Sequence, residues 1–114
     1  MTELPLTPQV FHILLALADG DRHGYGIIQD VEAGTGGAIR LGPGTLYGAL
    51  KRLVRAGLVR ETARRPARDQ DDERRRYYAL TEAGRRLLST ESRRLADAVG
   101  RARRAGLLKT RPAD

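Results

Sequence analysis

The residues best suited to chemistry in this 114-residue chain lie on one side of a helix predicted over residues 43–56. At about 100° per residue, two glycines and three cations share that side, and no carboxylate lies among them. They are Gly44, Gly48, Lys51, Arg52 and Arg55. Cationic side chains bind phosphates and guanine edges, and a glycine lets another backbone approach closely. Glycine inside a helix costs roughly 1 kcal/mol relative to alanine, so Gly48 favours a nucleic-acid surface over the alternative, a merely solvated basic face.

The opposite side of the same predicted helix is apolar. Its residues follow the i, i+4, i+7, i+8 spacing of a buried stripe, and they are Leu46, Leu50, Leu53 and Val54. Pro43 suits the first turn because its φ is fixed and its missing N–H would be unpaired there. Gly57 suits the position just after a helix end. The stretch therefore predicts a turn, an amphipathic helix and a helix stop.

The composition limits the partners and chemistries that suit the chain. Lysine and arginine outnumber aspartate and glutamate by 21 to 14, and the formal net charge of +7 favours a polyanionic partner. The chain has no cysteine and two isolated histidines, so we predict no metal and no cofactor. It shows no nucleophile–base pair, so we predict that it is not an enzyme. The longest apolar run, residues 10–18, is too short to span a bilayer, so we expect a cytoplasmic protein without a membrane partner.

Two shorter helices are predicted before the basic helix. Thr7 offers an N-cap hydroxyl for a first helix over residues 8–18. A second helix opens at His23-Gly24-Tyr25-Gly26 and ends in the glycines of residues 34–37. The chain therefore places two helices directly before the basic one.

Two further structural roles are predicted around the second helix. We expect His23 and Tyr25 to pack the second helix against the third. Ile39 and Leu41 could form a very short strand before the basic helix.

The segment after Gly57 has the sequence shape of a wing, a β-hairpin that follows a recognition helix. Residues 58–62 and 77–80 have strand character, and the polar residues 64–76 lie between them. Arg74 and Arg75 flank the acidic centre of that loop, so we predict that they contact phosphate. A solvated hairpin tip remains the alternative.

The last predicted helix is too long for one small domain to cover. Thr81 caps it, and about 24 residues at about 1.5 Å each make a rod of about 36 Å. A narrow apolar stripe predicts packing against a second subunit through Leu88, Leu95, Val99 and Ala102. A frayed, solvated helix is the alternative, which Gly100 favours. We therefore predict a DNA-binding domain over 1–81, a dimerisation helix over 82–108 and a tail over 109–114.

Three segments of the chain resemble the PadR-like transcriptional regulators. They are His23-Gly24-Tyr25-Gly26-Ile27, Pro43-Gly44-Thr45-Leu46-Tyr47-Gly48-Ala49-Leu50-Lys51-Arg52-Leu53 with Gly57-Leu58-Val59, and Arg76-Tyr77-Tyr78-Ala79-Leu80-Thr81-Glu82-Ala83-Gly84. The resemblance implies a homodimeric repressor that binds a palindromic operator and is released by a small molecule or a stress signal. It also implies that Thr45, Tyr47, Lys51 and Arg52 enter or flank the major groove. Gly26 and Gly48 depart from the family pattern, and the single last helix resembles the family's short branch.

Together these patterns predict a mainly α fold with a small β-hairpin (α+β): a winged helix-turn-helix followed by a long dimerisation helix. We expect a sequence-specific, dimeric regulator of double-stranded DNA, with Gly44 and Gly48 allowing close approach and Tyr47 giving its hydroxyl to the backbone. An alternative is a winged helix that binds a protein partner without specific DNA binding.

Overall fold

The computed structural model describes residues 4–62 and 76–109 and has the predicted winged-helix architecture. Within these ranges the elements, in chain order, are α1 (Pro8–Ala16), β1 (Arg22–His23), α2 (Gly24–Gly34), α3 (Pro43–Arg55), β2 (Val59–Thr62), β3 (Tyr77–Leu80) and α4 (Glu82–Arg104). The predicted mainly α fold with a small antiparallel sheet is confirmed. In the part of the chain that is described, no helix has both the length and the apolar character needed to cross a membrane.

Side-chain caps fix where the helices begin. The Thr7 hydroxyl accepts the Val10 N–H at 3.2 Å, and the Thr81 hydroxyl accepts the Gly84 N–H at 3.0 Å. Helix α1 ends at Ala16, two residues earlier than predicted, because the amides of residues 17 and 18 bond three residues back in a tighter turn. The Ala16 carbonyl then accepts the Arg22 Nε–H at 2.6 Å, which joins the end of α1 to β1.

The sheet has three antiparallel strands in the order β1–β3–β2. In the register, Arg22 lies opposite Tyr78 and Val59 opposite Leu80. The strand predicted at Ile39 and Leu41 is wrong, because β1 occupies the free edge of β3. The Ile39 amide instead donates to the Thr35 hydroxyl at 3.0 Å, and so serves the turn after α2.

The apolar stripe of α3 lies in a core shared by all four helices. Leu46, Leu50 and Leu53 are buried there, as predicted, and the core also receives residues of α1, α2 and α4. Val54 is 37% exposed, so its predicted place in the core is wrong. It lies at the edge of the stripe, about 80° from Leu46, and the small Ala49 on the other edge is buried instead.

Helix α4 packs its first turns against the rest of the domain. Gly84 lies directly against the Leu58 carbonyl, where a Cβ would collide with backbone. One helical turn further, Leu88 joins the core. Glu91 follows and is 1% exposed, with a carboxylate that accepts the Leu6 N–H at 2.9 Å and pairs with Arg94 at 2.7 Å. The segment before α1 is therefore attached to the middle of α4.

Candidate nucleic-acid interface

The structure places the predicted contact residues together on the outward side of α3. Six of them are exposed, and Gly48 is partly exposed; the six are Gly44, Thr45, Tyr47, Lys51, Arg52 and Arg55. Helix α3 begins at Pro43, after the N-cap Gly42, which offers no side-chain cap, and its first turn holds no acidic residue. The positive end of the helix dipole therefore has neither a side-chain cap nor an acidic residue of its own first turn.

The cations of this side are not neutralised by the described chain. Several arginines elsewhere have acidic neighbours, such as Arg22 with Asp30 at 3.4 Å and Arg40 with Glu32 at 3.7 Å. Across residues 4–62 and 76–109, no carboxylate lies within ion-pair distance of Lys51, Arg52 or Arg55. Three uncompensated charges on one helix face can each take a phosphate oxygen.

Neither glycine of this side is required by packing within the described chain. A Cβ built on Gly44 would meet nothing within 4 Å among those residues, and one on Gly48 would meet only the Arg52 Nη1 atom at 3.8 Å. An alanine would fit at both positions and would favour the helix. The space that these glycines leave is therefore open to a partner outside the chain.

Tyr47 also contacts the second helix. Its hydroxyl lies directly against Gly24 of α2, where any side chain on residue 24 would collide with the phenol. The Tyr47 side chain is still 46% exposed, and its hydroxyl contact with a DNA backbone stays a prediction.

The predicted packing of α2 against α3 by His23 and Tyr25 is wrong. Tyr25 is 59% exposed. His23 caps α2 by accepting the Gly26 N–H at 3.0 Å, and its ring meets the ring of Tyr77 edge-on at 5.3 Å. The histidine therefore joins α2 to the sheet, and the close contact with α3 belongs to Gly24.

The hairpin strands β2 and β3 lie beside the carboxyl-terminal half of α3. Arg76 lies just before β3, and its Nη1 atom is 3.4 Å from the Oε2 atom of Glu61 in β2. Arg74, Arg75 and the predicted loop lie outside the described residues, and their phosphate contacts stay predictions.

A cleft of about 380 Å³ separates α3 from the hairpin. Leu50, Val54, Tyr47 and Tyr78 form its apolar wall, and Lys51, Arg55, Glu61 and Arg76 form its rim. Burial, and then the nearby Glu61 carboxylate, raise the pKa of the Tyr78 phenol, which therefore stays protonated at neutral pH. Sequence patterns did not identify the residues that the hairpin contributes to this cleft, which are Glu61, Arg76 and Tyr78. Those patterns indicate only that the strands form a wing.

Comparison with known proteins identifies the family. The sequence model described as "Transcriptional regulator PadR-like family" matches residues 13–90, and the chain is 38% identical over 90 residues to the transcriptional regulator Rv3488 of Mycobacterium tuberculosis. That match covers 79% of this chain and 77% of the relative. The chain belongs to the PadR-like family of transcriptional regulators.

Two other similarities bear on this PadR-like chain. It is 45% identical over 89 residues to an uncharacterized 37.1 kDa protein in transposon TN4556 of Streptomyces fradiae, a match that covers 78% of this chain but only 23% of that protein's length. The structure of Bacillus subtilis PadR in complex with operator DNA has the same fold, with a TM-score of 0.58, 18% identity, and coverage of 95% of this chain and 51% of that chain.

The residues predicted to join two PadR-like subunits divide into two groups. Leu88 is buried in the core of its own chain, so its predicted role in a dimer is revised to an intramolecular one. Beyond Glu91, Leu95 and Ala102 are partly exposed and Val99 is 43% exposed. These three residues lie on the half of α4 that extends past the core.

Proposed function

We propose that this PadR-like regulator is a homodimeric repressor that binds a palindromic operator in double-stranded DNA through α3. The observation that supports this function best is the outward side of α3, where three cations have no carboxylate partner among residues 4–62 and 76–109 and lie beside two glycines that no described neighbour requires. The fold that the chain shares with a PadR–operator complex supports the same role.

The amino-terminal half of α3 is suited to the floor of a major groove. Gly44 and Gly48 leave no side chain between the helix and the base edges, while Thr45 offers a hydroxyl that can donate or accept. The first-turn amides of α3, which have no side-chain cap, also suit a phosphate. With few side chains at these positions, α3 reads few bases and lies close to them.

The carboxyl-terminal half of α3 carries the electrostatic part of binding. Lys51 and Arg52 project from one turn and Arg55 from the next, and we place them at the phosphates on either side of the groove. Arg74 and Arg75 of the hairpin loop add phosphate contacts in this proposal. The Arg52 side chain is also long enough for its guanidinium to donate two hydrogen bonds to a guanine edge.

A dimer would hold two such helices at a fixed spacing. We place the subunit contact on the free half of α4, through Leu95, Val99 and Ala102, within the dimerisation segment 82–108. Two α3 helices would then enter successive major grooves, about one helical turn apart. An unknown signal or a small-molecule effector would release the operator.

The test is binding to a duplex that carries the region upstream of the protein's own gene, measured by fluorescence anisotropy with excess unrelated competitor DNA. With about eight phosphate contacts per dimer, a plot of log affinity against log salt concentration should have a slope of about −7. The Arg52→Ala variant should weaken binding by about tenfold or more, because it removes a charge from the proposed face.

Arg93→Ala is the matched control, since Arg93 is an exposed arginine on the side of α4 opposite Leu95, and among the described residues its guanidinium bonds to Ser89 alone, at 3.0 Å. It should bind as the wild type does. A slope near zero, or equal losses for both variants, would contradict DNA binding by α3 and favour a winged helix that binds protein.

A further inference from the structure

The cleft between α3 and the hairpin has an apolar wall that the described chain leaves uncovered. Val54 contributes the exposed aliphatic surface, and the exposed edge of Tyr47 continues it. Leu50 and Tyr78 close the inner side of the cleft and are themselves buried. A volume of about 380 Å³ is within the range of small-molecule sites, which run from roughly 300 to 1,000 Å³.

The rim of the same cleft carries an excess of positive charge. Among the described residues, Glu61 is the single carboxylate of the rim, and the Arg76 Nη1 atom lies 3.4 Å from its Oε2 atom. Lys51 and Arg55 face no carboxylate within ion-pair distance in residues 4–62 and 76–109. They are one helical turn apart on α3, so both can reach a single anionic group. The protonated Tyr78 phenol adds a donor on the inner side.

We propose that this cleft binds a small amphipathic anion, with an apolar or aromatic body against Val54 and Tyr47 and its anionic group between Lys51 and Arg55. An inorganic anion would leave the apolar wall in water, and a neutral apolar molecule would leave the two cations unmatched. Only a ligand with both parts uses the whole surface.

Occupancy of the cleft would compete directly with the operator. Lys51 and Arg55 cannot hold the ligand's anionic group and DNA phosphates at the same time, and the ligand body would stand beside the groove-facing side of α3. This regulation rests on the proposed DNA binding, and it places the effector at the DNA-binding face itself.

The probe for this site is 8-anilino-1-naphthalenesulfonate, an aromatic sulfonate whose fluorescence increases in apolar surroundings. Titration of the full chain should show saturable binding. N-phenyl-1-naphthylamine, which has the same rings without the sulfonate, should bind at least about tenfold more weakly, because it cannot use the two cations.

Two variants locate the probe in the cleft. Val54→Asp puts a carboxylate on the apolar wall and should weaken sulfonate binding at least about tenfold, and Lys51→Met should weaken it without loss of fold, since Lys51 is exposed. Leu15→Asp adds the same charge to a residue of α1 that is 43% exposed and does not line the cleft, so it should leave the titration unchanged. Unchanged binding in both Val54→Asp and Lys51→Met, or a loss in Leu15→Asp, would overturn the site.

Competition with duplex DNA separates the two proposals. The upstream duplex should displace the probe, and the probe should raise the apparent Kd of the duplex. If the duplex binds with the expected salt dependence while the probe stays in the cleft, competition is overturned and the repressor proposal stands. If the duplex does not bind at all, the repressor proposal fails, and the three variants still decide whether the cleft is an anion site.

Discussion

Glycines within helices have opposite roles in this protein, and the difference lies in what surrounds each one. Gly84 and Gly24 each have a neighbour that excludes a side chain, the Leu58 carbonyl and the Tyr47 phenol. A Cβ on Gly48 would meet only the Arg52 Nη1 atom among the described residues, at 3.8 Å. Packing therefore requires glycine at the first two positions, whereas no described neighbour requires it at Gly48.

Replacing Gly48 with alanine should stabilise the free protein and weaken operator binding. The alanine favours α3 by about 0.5–1 kcal/mol and meets no described neighbour closer than 3.8 Å. Its methyl group would stand in the space proposed for the DNA, so the operator Kd should rise. Chemical denaturation and anisotropy measure the two effects.

The same substitution at Gly84 is the comparison. Alanine there pushes against the Leu58 backbone, so the free energy of unfolding should fall by about 1–3 kcal/mol despite the better helix propensity. A Gly48→Ala protein that is more stable and binds the operator as well as the wild type would show that close approach at residue 48 is unimportant.

Periodicity predicted most of these side-chain positions but not the ones at the edge of the stripe. The exposed cations of α3 and the buried Leu46, Leu50 and Leu53 follow directly from about 100° per residue. Val54 lies where the stripe ends, and whether such a residue is covered depends on the neighbouring element. The position of the Tyr47 hydroxyl depends on a glycine 23 residues earlier, which no local pattern indicates.

At the scale of elements, one buried carboxylate joins the amino-terminal segment to α4. Glu91 accepts the Leu6 amide and the Arg94 guanidinium. The hydrogen bonds from Arg94, and then the Leu6 amide, hold the pKa of the Glu91 carboxyl below its ordinary value of 4.5, against the opposing effect of burial. The folded state therefore favours the ionised form.

Glu91→Gln should lower the Tm by several degrees at neutral pH and make stability less sensitive to acid. Because the folded pKa is depressed, the contribution of the ionised carboxylate is complete above the ordinary value and is lost as the pH falls through the lower folded value. The difference in Tm between the two proteins should therefore shrink below pH 4.5. Thermal denaturation between neutral and acidic pH measures it.

Glu82→Gln is the control within the same helix. Glu82 is exposed, and its carboxylate lies 3.9 Å from Arg86. Such surface pairs contribute little, so this variant should follow the wild type at every pH. If both variants lose the same stability with the same pH dependence, the attachment of Leu6 is not the cause.

Sequence patterns located the helices and the hairpin but missed β1. A strand of two residues has no periodicity of its own, and Arg22 and His23 are polar. What defines it is the free edge of β3 together with the Arg22 bond to the end of α1. Ile39 and Leu41 alternate as a strand would, yet the Ile39 amide is used by the turn after α2 and both side chains pack in or against the core.

At the scale of the whole molecule, the two halves of α4 have different surroundings. Its first half carries Gly84, Leu88 and Glu91 into the domain core, so removing the helix from residue 86 onward would damage the fold itself. Its second half leaves Val99 43% exposed and Leu95 partly exposed in the described chain. A test of the proposed dimer must therefore leave the first half intact.

Deleting residues 95–114 should give a folded monomer. The truncated chain keeps the Glu91–Arg94 pair and the core, but loses the proposed subunit contact. Its operator affinity should fall by about 100-fold or more because two linked half-site contacts become one. Sedimentation and anisotropy give the two readouts.

A point variant makes the same test without a truncation. Val99→Asp should dissociate the dimer, whereas Val54→Asp, at a valine of similar exposure on α3, should leave the association state unchanged. A dimer that persists both in Val99→Asp and without residues 95–114 would place the subunit contact elsewhere.

His23 ends β1 and is also the N-cap of α2, so no residue separates the sheet from that helix. Gly24 follows and lies against Tyr47 of α3. These contacts join the hairpin to α3 through α2, so we expect the angle between them to be set before the proposed operator binds. In that proposal, binding requires little ordering of the domain, and an operator whose groove does not match the angle has to bend.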